Sequence, residues 1–161
     1  MKVSGRGRSA TQRGLTLVEL LVVMAVLGIL AWAATPMVEL SVQRQREQEL
    51  KRALWEIRDA LDAYHLAAQQ GLVAGGASGY PPSLEALVQG VPDVKAPGQM
   101  RYFLRRIPSD PFAPPSTPAA LSWGLRAYDT PPDRPGPGAD VYDVYSRSNR
   151  MGLNGQPVSQ W

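Results

Sequence analysis

LTLVELLVVMAVLGILAWAATPMV, residues 15–38, follows directly on Gly14 and decides how the rest of the chain is read. From Leu20 to Ala34 the Trp32 indole is the sole polar side-chain group. Twenty-four helical residues, 15 through 38, rise about 36 Å at roughly 1.5 Å each, enough to cross a bilayer. A chain of 161 residues has little else with which to surround a buried helix of this kind. The stretch therefore reads as a membrane segment, with one irregularity: Glu19 sits in its first turns.

Upstream lies MKVSGRGRSATQRG, residues 1–14, small, polar and without apolar period. It holds Lys2, Arg6, Arg8 and Arg13, which is four of the 17 Lys and Arg residues, and none of the 14 acids. The formal charge of +3 thus belongs to this lead-in, and the remainder is slightly acidic. Positive charge just before an apolar segment holds that end in the cytoplasm and is poor support for nucleic-acid binding. There is no cysteine, so there is neither a disulfide framework nor thiolate chemistry.

An acid inside a membrane helix costs roughly 2.5–3.5 kcal/mol even on lenient scales, so a functional partner is the default reading of Glu19. The plain alternative places Glu19 at the cytoplasmic headgroups, solvated. A basic stretch, an apolar stretch and Ala31-Trp32-Ala33 also describe an ordinary secretory signal cleaved after Ala33, although Glu19 lies inside its apolar part. Pro36 lacks an amide hydrogen and reads as a kink near the end of the run. Cleavage after Gly14 would give Leu15 a free amine, one helical turn from Glu19. An amine and a carboxylate on staggered copies then have the chance to pair.

Gly14 followed by LTLVELLVVMAVLGILAWAATP resembles the class III leader and N-terminal helix of type IV pilins and type II secretion pseudopilins. The resemblance implies that a prepilin peptidase cuts between Gly14 and Leu15 and methylates Leu15. It also implies that Glu19 aids assembly and that Pro36 is a place where the helix loosens on packing. Leu15 departs from the usual first mature residue, Phe.

Beyond residue 38 the helix changes surface. Gln43-Arg44-Gln45-Arg46-Glu47-Gln48-Glu49 has no apolar residue and is expected to project into water. Leu50, Leu54, Ile57, Leu61, Tyr64 and Ala68 then recur at helical spacing as one apolar stripe, which the C-terminal region must cover. His65, the one histidine, reads as a packed or surface residue, and Gly71 as the helix stop. Ser83 is positioned to cap a short helix over Leu84–Gln89. Residues 91–99 and 113–120 read as loops, and 101–107 as an extended edge with Arg101, Arg105 and Arg106 solvated. Leu121–Tyr128 alternates, with Leu121, Trp123, Leu125 and Ala127 on one face, and Ala139–Ser146 reads as a second strand. Trp161 is expected to be pinned to the body by its apolar area.

YPPSLEALV, RRIPSDPF, WGLRAY, DVYDVYSRS, GLNG and the last Trp together resemble type II secretion pseudopilins of the major, G-type subunit. That implies a pilin-like α+β fold, a long N-terminal helix on a small antiparallel sheet. Its parts are a cleaved leader over 1–14, a transmembrane part over 15–38, an amphipathic periplasmic part over 39–71 and a small head over 72–161. It implies a structural subunit of a periplasmic pseudopilus, single-pass in the inner membrane with its head in the periplasm. Its partners would be other copies, other pseudopilins, the prepilin peptidase and the inner-membrane secretion platform, with energy from a cytoplasmic ATPase. The missing disulfide pair argues against the first rival, a surface type IV pilin or minor pilin. The second rival is a soluble periplasmic binding module released by signal cleavage.

The resemblance also implies a calcium loop near the C-terminus. Calcium takes six to eight hard oxygens, usually several of them carboxylates. The corresponding stretch, Ser146–Gln156, has no acid and two arginines, so calcium is expected to be lost or weak and the loop to be held by Asn149, Asn154 and packing. No other metal, cofactor or catalytic set stands out. One histidine and no cysteine remove most nucleophile–base pairs and zinc sites. Asp129, Asp133, Asp140 and Asp143 read as surface or turn acids, and an enzyme is not expected.

Overall fold

The computed structural model describes residues 16–161, with the backbone alone for 33–37. Two compact units divide the chain, one up to Leu40 and one over Ser41–Trp161. One helix, α1 (Leu17–Gln69), runs through the end of the first into the second. The backbone stays helical through Pro36.

Within the second unit the apolar stripe does what its spacing predicts. Leu50, Leu54, Ile57, Leu61 and Tyr64 are buried, with Ala53, Ala60 and Ala67 interleaved as small contacts that let other segments approach. Burying such side chains stabilises by about 1.5–3 kcal/mol each relative to exposure. The helix ends in a Schellman motif. Gly71 adopts φ +66, the Leu72 N–H donates to the Ala67 carbonyl (2.9 Å) and the Gly71 N–H to Ala68 (3.0 Å).

The covering layer is built from short pieces. Helix α2 (Leu84–Gln89) turns Leu84 and Leu87 inward. Ser83 holds the N-cap position with extended backbone but makes no side-chain cap bond, so the expected capping role is corrected. The loop expected over 91–99 contains strand β1 (Val91–Pro92), paired antiparallel with β2 (Met100–Arg101). A turn at Asp93 brings them together: its carboxylate accepts the N–H groups of Lys95 (2.8 Å) and Ala96 (3.1 Å). Pro92 has no N–H to extend the ladder, and the extended edge expected over 101–107 shrinks to one strand residue, Arg101.

Two further corrections follow from where backbone groups find partners. Residues 119–122 form a short helix, α3 (Ala119–Ser122), because Leu121 and Ser122 both donate to the Pro118 carbonyl. Leu121 consequently points to solvent, 62% exposed, and does not share the strand face. Strand β3 starts at the fully buried Trp123 and ends at Arg126. Its partner β4 is confined to Asp143–Ser146, in the register Trp123↔Ser146 and Leu125↔Val144. The segment before it leaves the ladder because the Val141 N–H goes to Pro81 (2.8 Å). Val141 and Val144 are therefore both buried, against strict alternation. Trp123, Val144, Val158 and Leu104 close the core over α1, and Trp161 packs at its edge as expected.

Candidate functional site

The functional element is the first unit of α1, whose start is a local signal. Thr16 accepts the Glu19 N–H on its Oγ1 (3.2 Å), and the Leu20 N–H donates to the Thr16 carbonyl (3.1 Å). Thr16-Leu17-Val18-Glu19 is thus an N-cap with an acid at the third helical position. The sequence carried this Ser/Thr-x-x-Glu signature, and reading Glu19 as a misplaced charge overlooked it. A carboxylate in the first turn also complements the positive end of the helix dipole. Gly14 and Leu15 lie outside the described residues. Pro36 lies within α1, and its side chain is not described.

Among the described residues around Glu19, the large apolar side chains are exposed. Leu17, Leu21, Val22, Leu27, Ile29 and Leu30 are exposed, and Trp32 is 81% exposed. Soluble monomers rarely expose contiguous apolar patches beyond a few hundred Å². Among the described residues no helix is long and apolar enough to cross a membrane. The span expected over 15–38 includes Leu15 and the side chains of 33–37, which lie outside the description. Leu17–Trp32 alone falls short of the roughly 20 residues a bilayer needs.

At the other end of α1, Gln43–Glu49 is not all in water. Glu47 is buried, 7% exposed, a correction to the sequence reading. Its Oε1 accepts the Leu153 N–H (2.8 Å) and Gln43 Nε2 (3.0 Å), and Gln43 Nε2 also reaches the Met151 carbonyl (3.1 Å). The C-terminal strap is therefore tied to α1 by two residues that sequence reading left in solvent. Of the two asparagines expected to hold it, Asn154 accepts the Gln156 N–H (3.0 Å), a bond internal to the loop.

Several oxygens near the strap bond to other groups of the protein. Ser146 Oγ donates to the buried Asp110 carboxylate (2.6 Å), whose other oxygen accepts the Phe112 N–H (2.8 Å). Ser148 Oγ accepts the Arg150 N–H (3.3 Å), and Arg147 and Arg150 are exposed beside them. Asp110, Ser146 and Ser148 thus bond within the protein, and the loop's own charges are positive. Among the described residues no group of three or more His, Cys, Asp or Glu is placed to hold a metal ion.

Four of the remaining candidate residues find partners within the fold. His65 stacks on Tyr80 with centroids 4.2 Å apart, and Asp143 pairs with Arg58. Asp140 accepts the Tyr128 N–H, and Arg101 pairs with Asp93. Asp129 and Asp133 are exposed, as are Arg105 and Arg106.

Residues 9–35 match the prokaryotic N-terminal methylation motif. The chain is 29% identical over 110 residues to the type II secretion system core protein G of Klebsiella michiganensis, covering 65% of this chain and 71% of that protein. It is 31% identical over 107 residues to the core protein G of Klebsiella pneumoniae, covering 63% and 69%. No solved structure matches it. The methylation motif on the exposed apolar helix and the shared sequence beyond it place the chain in the type II secretion system core protein G family.

Proposed function

We propose that this chain is a structural subunit of the type II secretion pseudopilus, processed by prepilin peptidase and assembled through the first unit of α1. The observation that carries this is a capped helix bearing one first-turn carboxylate and otherwise uncovered apolar side chains, inside a matched methylation motif. Cleavage falls between Gly14 and Leu15, and Leu15 is methylated. The amine of Leu15 on one copy then pairs with Glu19 of a staggered neighbour, which removes the cost of an isolated carboxylate in lipid. Pro36 marks where the helix gives way when copies pack.

Before assembly the subunit is held in the inner membrane by residues 15–38, with the basic leader cytoplasmic and the head periplasmic. Other pseudopilins and the secretion platform are its partners, and it carries out no catalysis of its own. Its C-terminal strap is stable without calcium. The methylation motif overlies the segment that an ordinary signal peptide would require, which favours processing after Gly14.

Mass analysis of the mature N-terminus tests the reading. A methylated chain starting at Leu15 supports it. A chain starting at Ala34, after ordinary signal cleavage, overturns it.

A further inference from the structure

A buried carboxylate must find hydrogen-bond donors, and at Glu47 every identified donor comes from Gln43 or the strap. Gln43 and Glu47 stand one turn apart, on the same side of α1. The amide of Gln43 meets the Met151 carbonyl and the carboxylate of Glu47 meets the Leu153 N–H. Together the two side chains satisfy alternating backbone groups of the crossing chain, as a neighbouring strand would.

The strap is shaped before it reaches the helix. Met151 and Pro157 form an antiparallel bridge, Gly152 donates to Gln156 (2.9 Å), and Gly155 at φ +77 donates back to Gly152 (2.9 Å). Gly152 lies against the Trp161 ring, where a Cβ would collide, so the hairpin is seated on the core at its base. The side chains flanking Gly152 are different: Met151 and Leu153 are 61% and 45% exposed, so little apolar burial holds this segment to α1. The polar tie does that work. Between Ser41 and Arg46, Gln43 alone is half-buried while the others are exposed, and the next buried apolar position on α1 is Leu50.

We infer that Glu47 and Gln43 are positioning residues for assembly: they clamp the 151–157 strap to α1 and set the level at which the helix becomes supported by the head. With the clamp open, head support on α1 begins at Leu50, about two turns later. The helix available to pack against other copies would then differ in length and freedom. The inference uses the assembly role of α1 but does not depend on cleavage at Gly14.

The test uses the full chain in detergent micelles, followed by trypsin cleavage after Arg150 and amide exchange at Leu153. Glu47→Ala should speed both by about tenfold, the effect of losing one buried charge-assisted bond. Glu47→Gln, whose amide oxygen still accepts the Leu153 N–H, should stay within about threefold, and Gln43→Ala should fall between them. Leu87→Ala, which opens a cavity in the core away from the strap, should lower stability without selectively speeding the Arg150 cut. Wild-type rates in Glu47→Ala would overturn the clamp, as would equal acceleration in Leu87→Ala. In cells, Glu47→Ala should be processed normally yet yield fewer filaments, and full assembly with an open strap would overturn its link to assembly.

Discussion

Arg58 and Asp143, 85 residues apart, meet through Nε and Oδ1 at 2.8 Å. The same guanidinium donates through Nη2 to the carbonyls of Val144 (3.2 Å) and Trp161 (3.0 Å). One side chain thus joins the middle of α1 to β4 and to the last residue of the chain. Three donors in a planar fork are what Arg supplies and Lys does not. Both partners keep about a third of their side-chain surface in water, which limits the Coulombic part. Arg58→Ala should cost about 1–2 kcal/mol in denaturant unfolding, and Arg58→Lys should recover less than half of it.

Gly124 faces Tyr145 across the β3–β4 ladder, and a Cβ there would run into the Tyr145 ring. Gly124→Ala should destabilise by about 1–3 kcal/mol through overpacking. Tyr145→Ala in the same chain should relieve much of that term, so a double-mutant cycle by thermal unfolding should show favourable coupling.

Asp93 is buried at the β1–β2 turn. Burial pushes its carboxyl up, but the N–H groups of Lys95 and Ala96 and the Arg101 guanidinium at 2.6 Å outweigh it and hold the group below the usual carboxylate range. The folded chain therefore binds this proton less readily than the unfolded chain. The stabilisation is fully present above the unfolded value, about 3.9, and is lost as pH falls through the lower folded value. Asp93→Asn should make stability less dependent on pH below about pH 4, and acid-unfolding curves of the two proteins measure this directly.

Glu19→Ala leaves Thr16 to cap α1, because the bond uses the backbone N–H of residue 19. The variant should be cleaved and methylated like the parent but assemble poorly, read by N-terminal mass and by filament recovery. Normal filament yield would remove the pairing argument.

Calcium should change little. The Asp110 carboxylate and the Ser146 hydroxyl are bonded to each other, and the strap's ligand-bearing side chains are uncharged or cationic. Melting of the purified full chain should shift by no more than about 1 °C between chelator and millimolar calcium, under the roughly 2–4 °C that accompanies 1 kcal/mol in a chain of this size. A rise of many degrees at submillimolar calcium would overturn this.

The parts of the molecule that were legible in the sequence are those whose cause is local. The stripe from Leu50 to Tyr64 follows helical periodicity, and Gly71 ends the helix where a left-handed residue is needed. The apolar run after Gly14, with Glu19 inside it, announces the assembly element within a few turns of chain. Even the cap at Thr16 was legible from four consecutive residues. The α+β class follows from one long helix with one stripe to cover and too little regular pattern beyond it to build another layer of helices.

Tertiary structure decided what depends on distant partners. Leu121 alternates correctly with Trp123 but is drawn into α3 by the Pro118 carbonyl, and Val141 leaves its strand because Pro81 accepts its N–H. Glu47 belongs to a wholly polar heptad, and its burial is set by a backbone N–H 106 residues away. Periodicity reports on neighbours three or four positions apart, within one element. Strand length, register and the burial of a charge are settled by which donors and acceptors the folded chain brings together, and no window along the sequence contains them.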